Sequence, residues 1–407
     1  MNFRLLAIAL VVISTIYQTV LSILKYRSAN NPTPENLTDV YDADTYARWK
    51  KYSAEHSRLD IFSGLIASGV LLALLCTNAY ATFATLFPEN AFMQLFAVII
   101  LDLAVSNVIS IIFSYVNTMK IEEKYGFNRS TVKTFVKDKI RGIIIELIIS
   151  LGLVSALWAL HVNMGDWIIL LFAAVLFAFT MLVSFLYPIF SRLGNTFTPL
   201  EDGELKTKLM ELLTKHGYKV KAIEVMDASR RTTKLNAYFT GFGKMKTIVL
   251  YDNLVNCMTE DEICAVFAHE LGHGLHKDVP KLQALNLINM FIMSLIVWYA
   301  VSEPLLHSEF GFGAVNYGFG YILLMVGLGV VQPFTSLLTN AVSRRAEYRA
   351  DAQAVKEGYG AALGTALKKL ARENFAHLSP SALNVILEYS HPPIDRRLQA
   401  IEKEMEK

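Results

Sequence analysis

Residues 167–190 read WIILLFAAVLFAFTMLVSFLYPIF and contain no charged side chain. A helix needs about 20 predominantly apolar residues to cross the hydrocarbon core of a bilayer, so this stretch predicts a membrane-spanning helix. The composition agrees, since 53% of the residues are hydrophobic and only 18% are charged. We therefore predict an all-α integral membrane protein with seven transmembrane helices. The other six stretches are 4–25, 61–83, 93–118, 142–162, 284–306 and 318–340.

The first stretch, 4–25, could be mistaken for a cleaved signal peptide. It lacks a small-x-small cleavage site and six further spans follow it, so we expect a retained anchor.

The basic residues predict how the spans are oriented. The connecting segments 84–92, 163–166 and 307–317 contain no Lys or Arg. By the positive-inside rule, the segments that carry basic residues face the cytoplasm, which places the N-terminus outside and the C-terminus inside. An odd number of spans is needed for this arrangement. All of the 38 basic residues except Arg4 lie in 25–60, 119–141, 191–283 and 341–407.

Residues 269–273 read HELGH, the zinc-hydrolase pattern H-E-x-x-H, in a segment with helical periodicity. His269 and His273 are four residues apart, so they project from one face of a helix and can bind one zinc ion. Glu270 can then act as the general base that takes a proton from a water activated by the zinc. The position of the motif, just before the sixth span, places the site near the cytoplasmic membrane surface.

Catalytic zinc needs a third protein ligand and an open position for water. His276 is a weak candidate, because the longer H-E-x-x-H-x-x-G-x-x-H pattern is absent. Helical periodicity at 343–354 places Glu347 and Asp351 on one face, where one carboxylate could bind the metal and the other could orient a histidine. On spacing alone, a solvated helix in which nearby arginines pair with these carboxylates explains the pattern equally well.

The rest of the polar region predicts a small α/β unit. A helix is expected at 200–216, a strand at 219–227 and a β-hairpin at 236–254. Thr259 and Glu262 form a capping-box pattern at the start of the HELGH helix. An exposed sheet edge beside that helix could bind a peptide substrate as an added strand.

The segment SHPPIDRRL at 390–398 is a third candidate region. His391 precedes two prolines, which favour an extended backbone, and it could donate a hydrogen bond to a developing oxyanion with support from Arg396 or Arg397. An ordinary surface turn is the alternative.

Together these segments resemble the type I CaaX prenyl proteases, which are integral-membrane zinc endopeptidases. The resemblance covers essentially the whole chain. It implies a barrel of seven long helices around a large water-filled chamber, capped on its cytoplasmic side by a mainly α, gluzincin-like zinc domain with a small β-hairpin or sheet. Such a chamber would account for Asp102, Asn107 and Glu146 within or near the spans. The segments that carry the resemblance are EEKYGFNRST at 122–131, FTPLEDGEL at 197–205, NAYFTGFG at 236–243, HELGH, SRRAEYRAD at 343–351 and the HPP-x-x-x-R pattern at 391–397.

The resemblance also implies roles for individual residues and an activity. The activity is removal of the C-terminal tripeptide after a prenylated cysteine, with a second, more N-terminal cut in some members. The implied roles are zinc ligation for His269, His273 and Glu347, general base for Glu270, orientation of a zinc ligand for Asp351, contact with the substrate backbone for Asn236, and stabilisation of the substrate and tetrahedral intermediate for His391 and Arg397.

The chain divides, on this interpretation, into four parts. These are transmembrane helices 1–5 with their loops (1–190), a cytoplasmic catalytic segment with HELGH (191–283), transmembrane helices 6–7 (284–340) and a C-terminal catalytic segment with the third ligand (341–407). We expect one zinc ion per chain, peptide or protein substrates that carry a C-terminal prenyl group in the family, a lipid bilayer around the spans, and no nucleic-acid partner.

Two features distinguish this chain from eukaryotic members. The residues GLHKD at 274–278 differ from the Trp-containing continuation of the eukaryotic motif, and the C-terminal EKEMEK carries no retention signal. Both favour a bacterial member of the inner membrane, whose natural substrate need not be prenylated; a eukaryotic member would lie in the endoplasmic reticulum.

Two other functions compete with this interpretation. One is a membrane-protein quality-control zinc protease of HtpX-like type, although that branch has fewer spans and a shorter chain. The other is a transporter or receptor with an incidental HELGH, which leaves the Glu347 and His391 segments without an explanation.

Overall fold

The computed structural model describes residues 2–87, 90–192, 194–240 and 247–407. Within these ranges, six segments are long and apolar enough to cross a membrane. The fourth, Val132–Ser191, contains both of the spans predicted at 142–162 and 167–190, so the count of seven stays a prediction. The six segments are Phe3–Ser28, Ala43–Cys76, Ala91–Tyr125, Val132–Ser191, Asp278–Ser302 and Tyr317–Lys356.

The helices alternate between long apolar rods and short amphipathic segments. They are α1 Phe3–Ser28, α2 Ala43–Cys76, α3 Ala79–Ala84, α4 Ala91–Val116, α5 Glu123–Tyr125, α6 Val132–Met164, α7 Ile168–Ser191, α8 Glu204–Lys215, α9 Asp252–Cys257, α10 Glu260–Leu275, α11 Asp278–Ser302, α12 Pro304–Ser308, α13 Tyr317–Lys356, α14 Gly360–Glu373, α15 Ala382–Leu387 and α16 Ile394–Met405.

Two predicted span ends were wrong, each for a local reason. The second span ends at Cys76 rather than 83, because Asn78 adopts a left-handed conformation that stops the helix. The sixth ends at Ser302 rather than 306, before Pro304 starts α12. The seventh span, predicted at 318–340, and the helix predicted at 343–354 both lie in α13, which runs unbroken through Pro333 to Lys356.

A four-stranded sheet lies beside the polar helices. Its strands are β1 Phe197–Pro199, β2 Ala222–Met226, β3 Ala237–Thr240 and β4 Thr247–Tyr251, in the order β1-β2-β4-β3. β2 pairs in parallel with β4, and β3 pairs with β4 antiparallel with Tyr238 opposite Val249. The predicted hairpin is thus confirmed in its strands, while its turn at 241–246 lies outside the described residues. β3 is an edge strand, as peptide docking requires.

One buried core joins this sheet to the helices around it. Its members include Ile248 and Leu250 of β4, Leu209 of α8, Phe267 of α10 and Leu367 of α14. The aromatic residues Tyr41 and Trp49, from the N-terminal part of the chain, belong to the same core. The polar domain is therefore packed directly against one end of the membrane helices.

The long helices surround a cavity of about 1190 Å³. Asp102 and Glu146 line it, and Asn107 donates a hydrogen bond to Glu146 (Nδ2–Oε2 3.0 Å). A cavity that accommodates these polar side chains was expected from the sequence. Its lining extends to Glu388 and Tyr389, close to the predicted His391 segment.

Candidate metal centre

Helix α10 presents the two histidines of HELGH. The helix starts with a complete capping box, in which the Thr259 side chain accepts from the Glu262 amide and the Glu262 carboxylate accepts from the Thr259 amide. Three acidic residues in the first turn further stabilise the positive end of the helix dipole. One face of the helix then carries His269 and His273, whose ring centroids are 4.8 Å apart. The prediction that both histidines project from one face of a helix is confirmed.

Helix α13 approaches α10 closely enough to add a carboxylate. Glu347 Oε2 lies 3.5 Å from His269 Nε2, and Glu347 Oε1 lies 3.3 Å from His273 Nε2. The close approach occurs at Gly272, where an added Cβ would lie only 3.0 Å from Ala350 Cα. A glycine at the fourth position of HELGH therefore lets the two helix backbones come together.

The three residues form a group suited to a metal ion. Ligand atoms of His269, His273 and Glu347 all lie within 4.8 Å of one another. Glu347 is buried, and its Oε2 has no hydrogen-bond partner among the described residues. A buried carboxylate oxygen without a partner is costly unless a cation binds it. Two imidazoles and one carboxylate are the donor set of a catalytic zinc site that keeps a fourth position open, so these residues fit zinc.

Asp351 and Arg397 contact residues of the three-residue group. Asp351 Oδ1 lies 2.9 Å from His269 Nδ1, as expected of a carboxylate that orients a metal-binding histidine. Arg397, from α16, donates to both oxygens of Asp351 (2.9 and 2.6 Å), and its Nη1 lies 3.4 Å from Glu347 Oε2. Burial alone would lower the pKa of His269, but the nearby carboxylates of Asp351 and Glu347 favour its protonated form and raise that pKa to about 9.

Asp278 is a contact that the sequence analysis missed. Its Oδ2 lies 3.1 Å from His273 Nδ1, and its Oδ1 accepts from Arg349 Nη2 at 2.6 Å. In the solvated-helix alternative of the sequence analysis, Arg349 would pair instead with a carboxylate of its own helix. The only available signal was an aspartate five residues after the second histidine.

The remaining predicted residues lie at different places around the group. Glu270 is half-buried beside His269 on α10. His391 Nε2 lies 3.3 Å from Glu347 Oε1, and its side chain is 64% exposed. His276, the weaker candidate ligand, caps the end of α10 outside the three-residue group. Glu388 and Tyr389, just before His391, line the membrane cavity, so the group lies next to the end of that cavity.

Asn236 is exposed immediately before the edge strand β3. Its side-chain oxygen accepts from the Ala237 amide, and its carbonyl accepts from the Tyr251 amide. The preceding residue, Leu235, is fixed by the Asn374 side chain, which accepts from the Leu235 amide (2.8 Å) and donates to the Leu235 carbonyl (3.0 Å). This clamp keeps the segment before β3 in place.

A helix with H-E-x-x-H, a glutamate from a second helix and a set of membrane-spanning helices define an integral-membrane zinc metalloprotease. Residues 199–405 match the family model of peptidase family M48, and residues 7–192 match that of the CAAX prenyl protease N-terminal region, described as five membrane helices. The chain belongs to peptidase family M48 and is a membrane metalloprotease of the CaaX prenyl protease type.

Individual relatives agree with this family. The CAAX prenyl protease 1 homolog of Oryza sativa subsp. japonica is 33% identical over 405 residues, which cover 95% of this chain and 94% of the relative. The homolog of Homo sapiens is 27% identical, over 92% and 90% of the two chains. The crystal structure of S. mikatae Ste24p superposes with a TM-score of 0.92 at 26% identity, over 99% of each chain.

These matches exclude one alternative and correct one expectation. The transporter or receptor alternative is excluded, as the sequence analysis favoured, because the chain belongs to a metalloprotease family. The expectation of a bacterial member is not supported, because these relatives are eukaryotic. The segment GLHKD, on which that expectation rested, has a local structural role instead, since its Asp278 contacts His273. The relatives also favour the CaaX type over the HtpX-like alternative.

Proposed function

We propose that this protein cleaves the C-terminal tripeptide from substrates that end in a prenylated cysteine. The observation that carries the proposal is the contact between Glu347 of the metal group and His391, which follows two residues after Tyr389 in the lining of a cavity among the membrane helices. A protease that acts on soluble substrates requires no cavity among membrane helices near its site. A substrate with a lipid chain, in contrast, stays in contact with the bilayer.

The proposed arrangement has seven spans. Family members of this type have five membrane helices in the part that matches residues 7–192, which supports two crossings within Val132–Ser191. Gly165 has a positive φ between α6 and α7, and Ile168, Phe172 and Leu176 of α7 pack in one core with Leu157 of α6. A turn at Gly165 followed by antiparallel packing is what two crossings need.

Seven spans and the distribution of basic residues support a cytoplasmic catalytic side. The four-part division at 190, 283 and 340 follows, and the boundary between the two family matches, at 192 and 199, supports its first cut. A glutamate ligand from a second helix supports the gluzincin-like assignment of the catalytic segments, and the long helices around the cavity support the barrel.

In the proposed reaction, His269, His273 and Glu347 hold the zinc ion, which supplies Lewis acidity toward the scissile carbonyl and lowers the pKa of water. The substrate docks as an added strand on β3, with Asn236 contacting its backbone. Asp351 and its partner Arg397 keep the His269 ring in one orientation.

Glu270 moves the proton. Its carboxylate removes a proton from the attacking water as the water oxygen bonds to the carbonyl carbon, and it then delivers that proton to the amine nitrogen as the C–N bond breaks. His391 donates a hydrogen bond to the oxyanion, and the positive charge of Arg397 supports it. The exposure of His391 leaves its imidazole free to turn toward a substrate.

Replacing Glu270 by glutamine tests the mechanism. The E270Q variant should bind zinc normally and lose at least about 10²-fold of its turnover, because the amide cannot accept the proton. A matched control is Glu260→Gln in the first turn of the same helix, which should keep full activity. Normal turnover by E270Q would refute the assignment of the base.

A second experiment tests the substrate class. A farnesylated CaaX peptide and its unprenylated twin are incubated with the purified protein, and the cut is located by mass spectrometry. We expect cleavage directly after the modified cysteine and much slower cleavage of the twin. Equal cleavage of both, with preference for misfolded membrane proteins, would instead support the HtpX-like alternative.

A further inference from the structure

The chain makes a strained turn directly after the HELGH helix. α10 ends at Leu275, and α11 starts at Asp278. Between them Lys277 adopts a left-handed conformation with φ +54°. A residue with a Cβ rarely adopts this conformation, so surrounding contacts must hold it. Here Lys281 Nζ donates to the His276 carbonyl at 2.8 Å across the turn.

The turn brings the Asp278 carboxylate back to His273. Asp278 Oδ2 lies 3.1 Å from His273 Nδ1. The other ring nitrogen of His273, Nε2, faces Glu347. A carboxylate at Nδ1 holds the proton there, so the lone pair of Nε2 is free for a metal ion.

The Asp278 carboxylate is itself fixed. Its side chain is 4% exposed, and Arg349 Nη2 donates to Oδ1 at 2.6 Å. Arg349 lies on α13, two residues after Glu347, so one helix supplies a metal-binding carboxylate and the clamp on the orienting one. The two histidines thus have parallel support: His269 contacts Asp351, held by Arg397, and His273 contacts Asp278, held by Arg349.

Asp278 could have a simpler role, which is to stabilise the dipole of α11. An acidic residue in the first turn of α11 stabilises the helix dipole wherever its side chain points. That role needs neither burial nor a partner on another helix, and it does not place the carboxylate on the imidazole. Burial, Arg349 and the strained Lys277 together favour a function directed at His273.

We propose that Asp278 is a positioning residue that orients His273 for the metal. The proposal rests on the proposed zinc site. It adds that Asp278, the first residue of the membrane helix α11, orients the second histidine of the motif, His273. The geometry of the metal group therefore depends on α11 as well as on α13.

The experiment measures zinc affinity of the full-length protein in detergent by competition with a chelator. Variants Asp278→Ala and Asp278→Asn are compared with Asp261→Asn, which removes an exposed carboxylate from the first turn of α10 and has no contact with His273. We expect zinc binding about 10- to 100-fold weaker for D278A, an intermediate loss for D278N, and a change below about twofold for D261N. The visible spectrum of the cobalt-loaded protein should shift for D278A and D278N only.

Two outcomes would overturn the proposal. One is wild-type zinc affinity and an unchanged cobalt spectrum for both Asp278 variants. The other is a lower unfolding temperature of the metal-free variants with unchanged zinc affinity, which would leave only the helix-dipole role. Failure of the zinc site itself is recognised separately, because then the wild type would bind no zinc and His269→Ala would change nothing.

Discussion

Replacing Gly272 by alanine would test how closely α10 and α13 must approach. A Cβ at this position would lie 3.0 Å from both Ala350 Cα and Gln353 Cβ and 3.3 Å from the Ala350 carbonyl oxygen. Ordinary carbon–carbon contacts lie at about 3.5–4.0 Å. Two of these atoms belong to the α13 backbone, and the third, Gln353 Cβ, is fixed by that backbone. A side-chain rotation therefore cannot relieve the clash, and the helices must separate by roughly half an ångström.

Two opposing effects set the magnitude. An alanine in place of a glycine inside a helix gains about 1 kcal/mol from helix propensity. Overpacking of this kind costs typically 1–3 kcal/mol, so the clash outweighs the gain. The separation also draws Glu347 away from the histidines, and we expect zinc affinity to fall about tenfold or more, because a metal site tolerates only about 0.5 Å of displacement.

The matched control is Gly364→Ala on α14. There an added Cβ would lie 3.5 Å from Leu398 Cδ2, an ordinary contact, so helix propensity acts without a clash. Thermal unfolding and chelator competition are measured on both variants. We expect G364A to be as stable as the wild type or more so, with unchanged zinc affinity. If G272A matched G364A in both measurements, the close approach at Gly272 would not control the geometry of the metal centre.

Two further predictions concern a buried histidine and the clamp on Leu235. Burial lowers the pKa of His377 to about 4 from about 6.5 in the unfolded chain, so the folded state is penalised only below pH 6.5 and loses about 3 kcal/mol of stability as the pH falls toward 4. The variant His377→Gln should therefore show a smaller fall in unfolding temperature between pH 7 and 4.5 than the wild type, and an equal fall would contradict this. Asn374→Ala removes both hydrogen bonds to Leu235 and should raise KM for a peptide substrate several-fold with a smaller change in kcat, measured by steady-state cleavage; an unchanged KM would show that the clamp does not position β3.

Local patterns were sufficient to predict much of the molecule. Apolar length identified the membrane helices, because a bilayer imposes a minimum run on any helix that crosses it. The capping box at Thr259 and the four-residue spacing of His269 and His273 depend only on the geometry of one helix, and both are present. Glu347 and Asp351 share a face for the same reason, although their encounter with α10 could be expected only through the family resemblance.

The features that were missed depend on contacts between distant segments or on single backbone angles. The Asp278 contact needs the left-handed turn at Lys277, for which a lysine gives no signal. β1 is three residues long, too short for an alternating pattern. The apolar run ends near 340, so the union of the span at 318–340 and the helix at 343–354 in one continuous helix α13 was not anticipated.

The continuity of α13 has a mechanical consequence. The same rod that crosses the bilayer carries Glu347 beyond it, about 20 Å along the axis from Pro333 at 1.5 Å per residue. A membrane that is too thin for a helix makes the helix tilt. Over this distance, a tilt of only about 2° about Pro333 moves Glu347 by about 0.7 Å, which is comparable to the tolerance of a metal site. The acyl-chain length of the surrounding lipid is therefore a physical variable of the catalytic geometry.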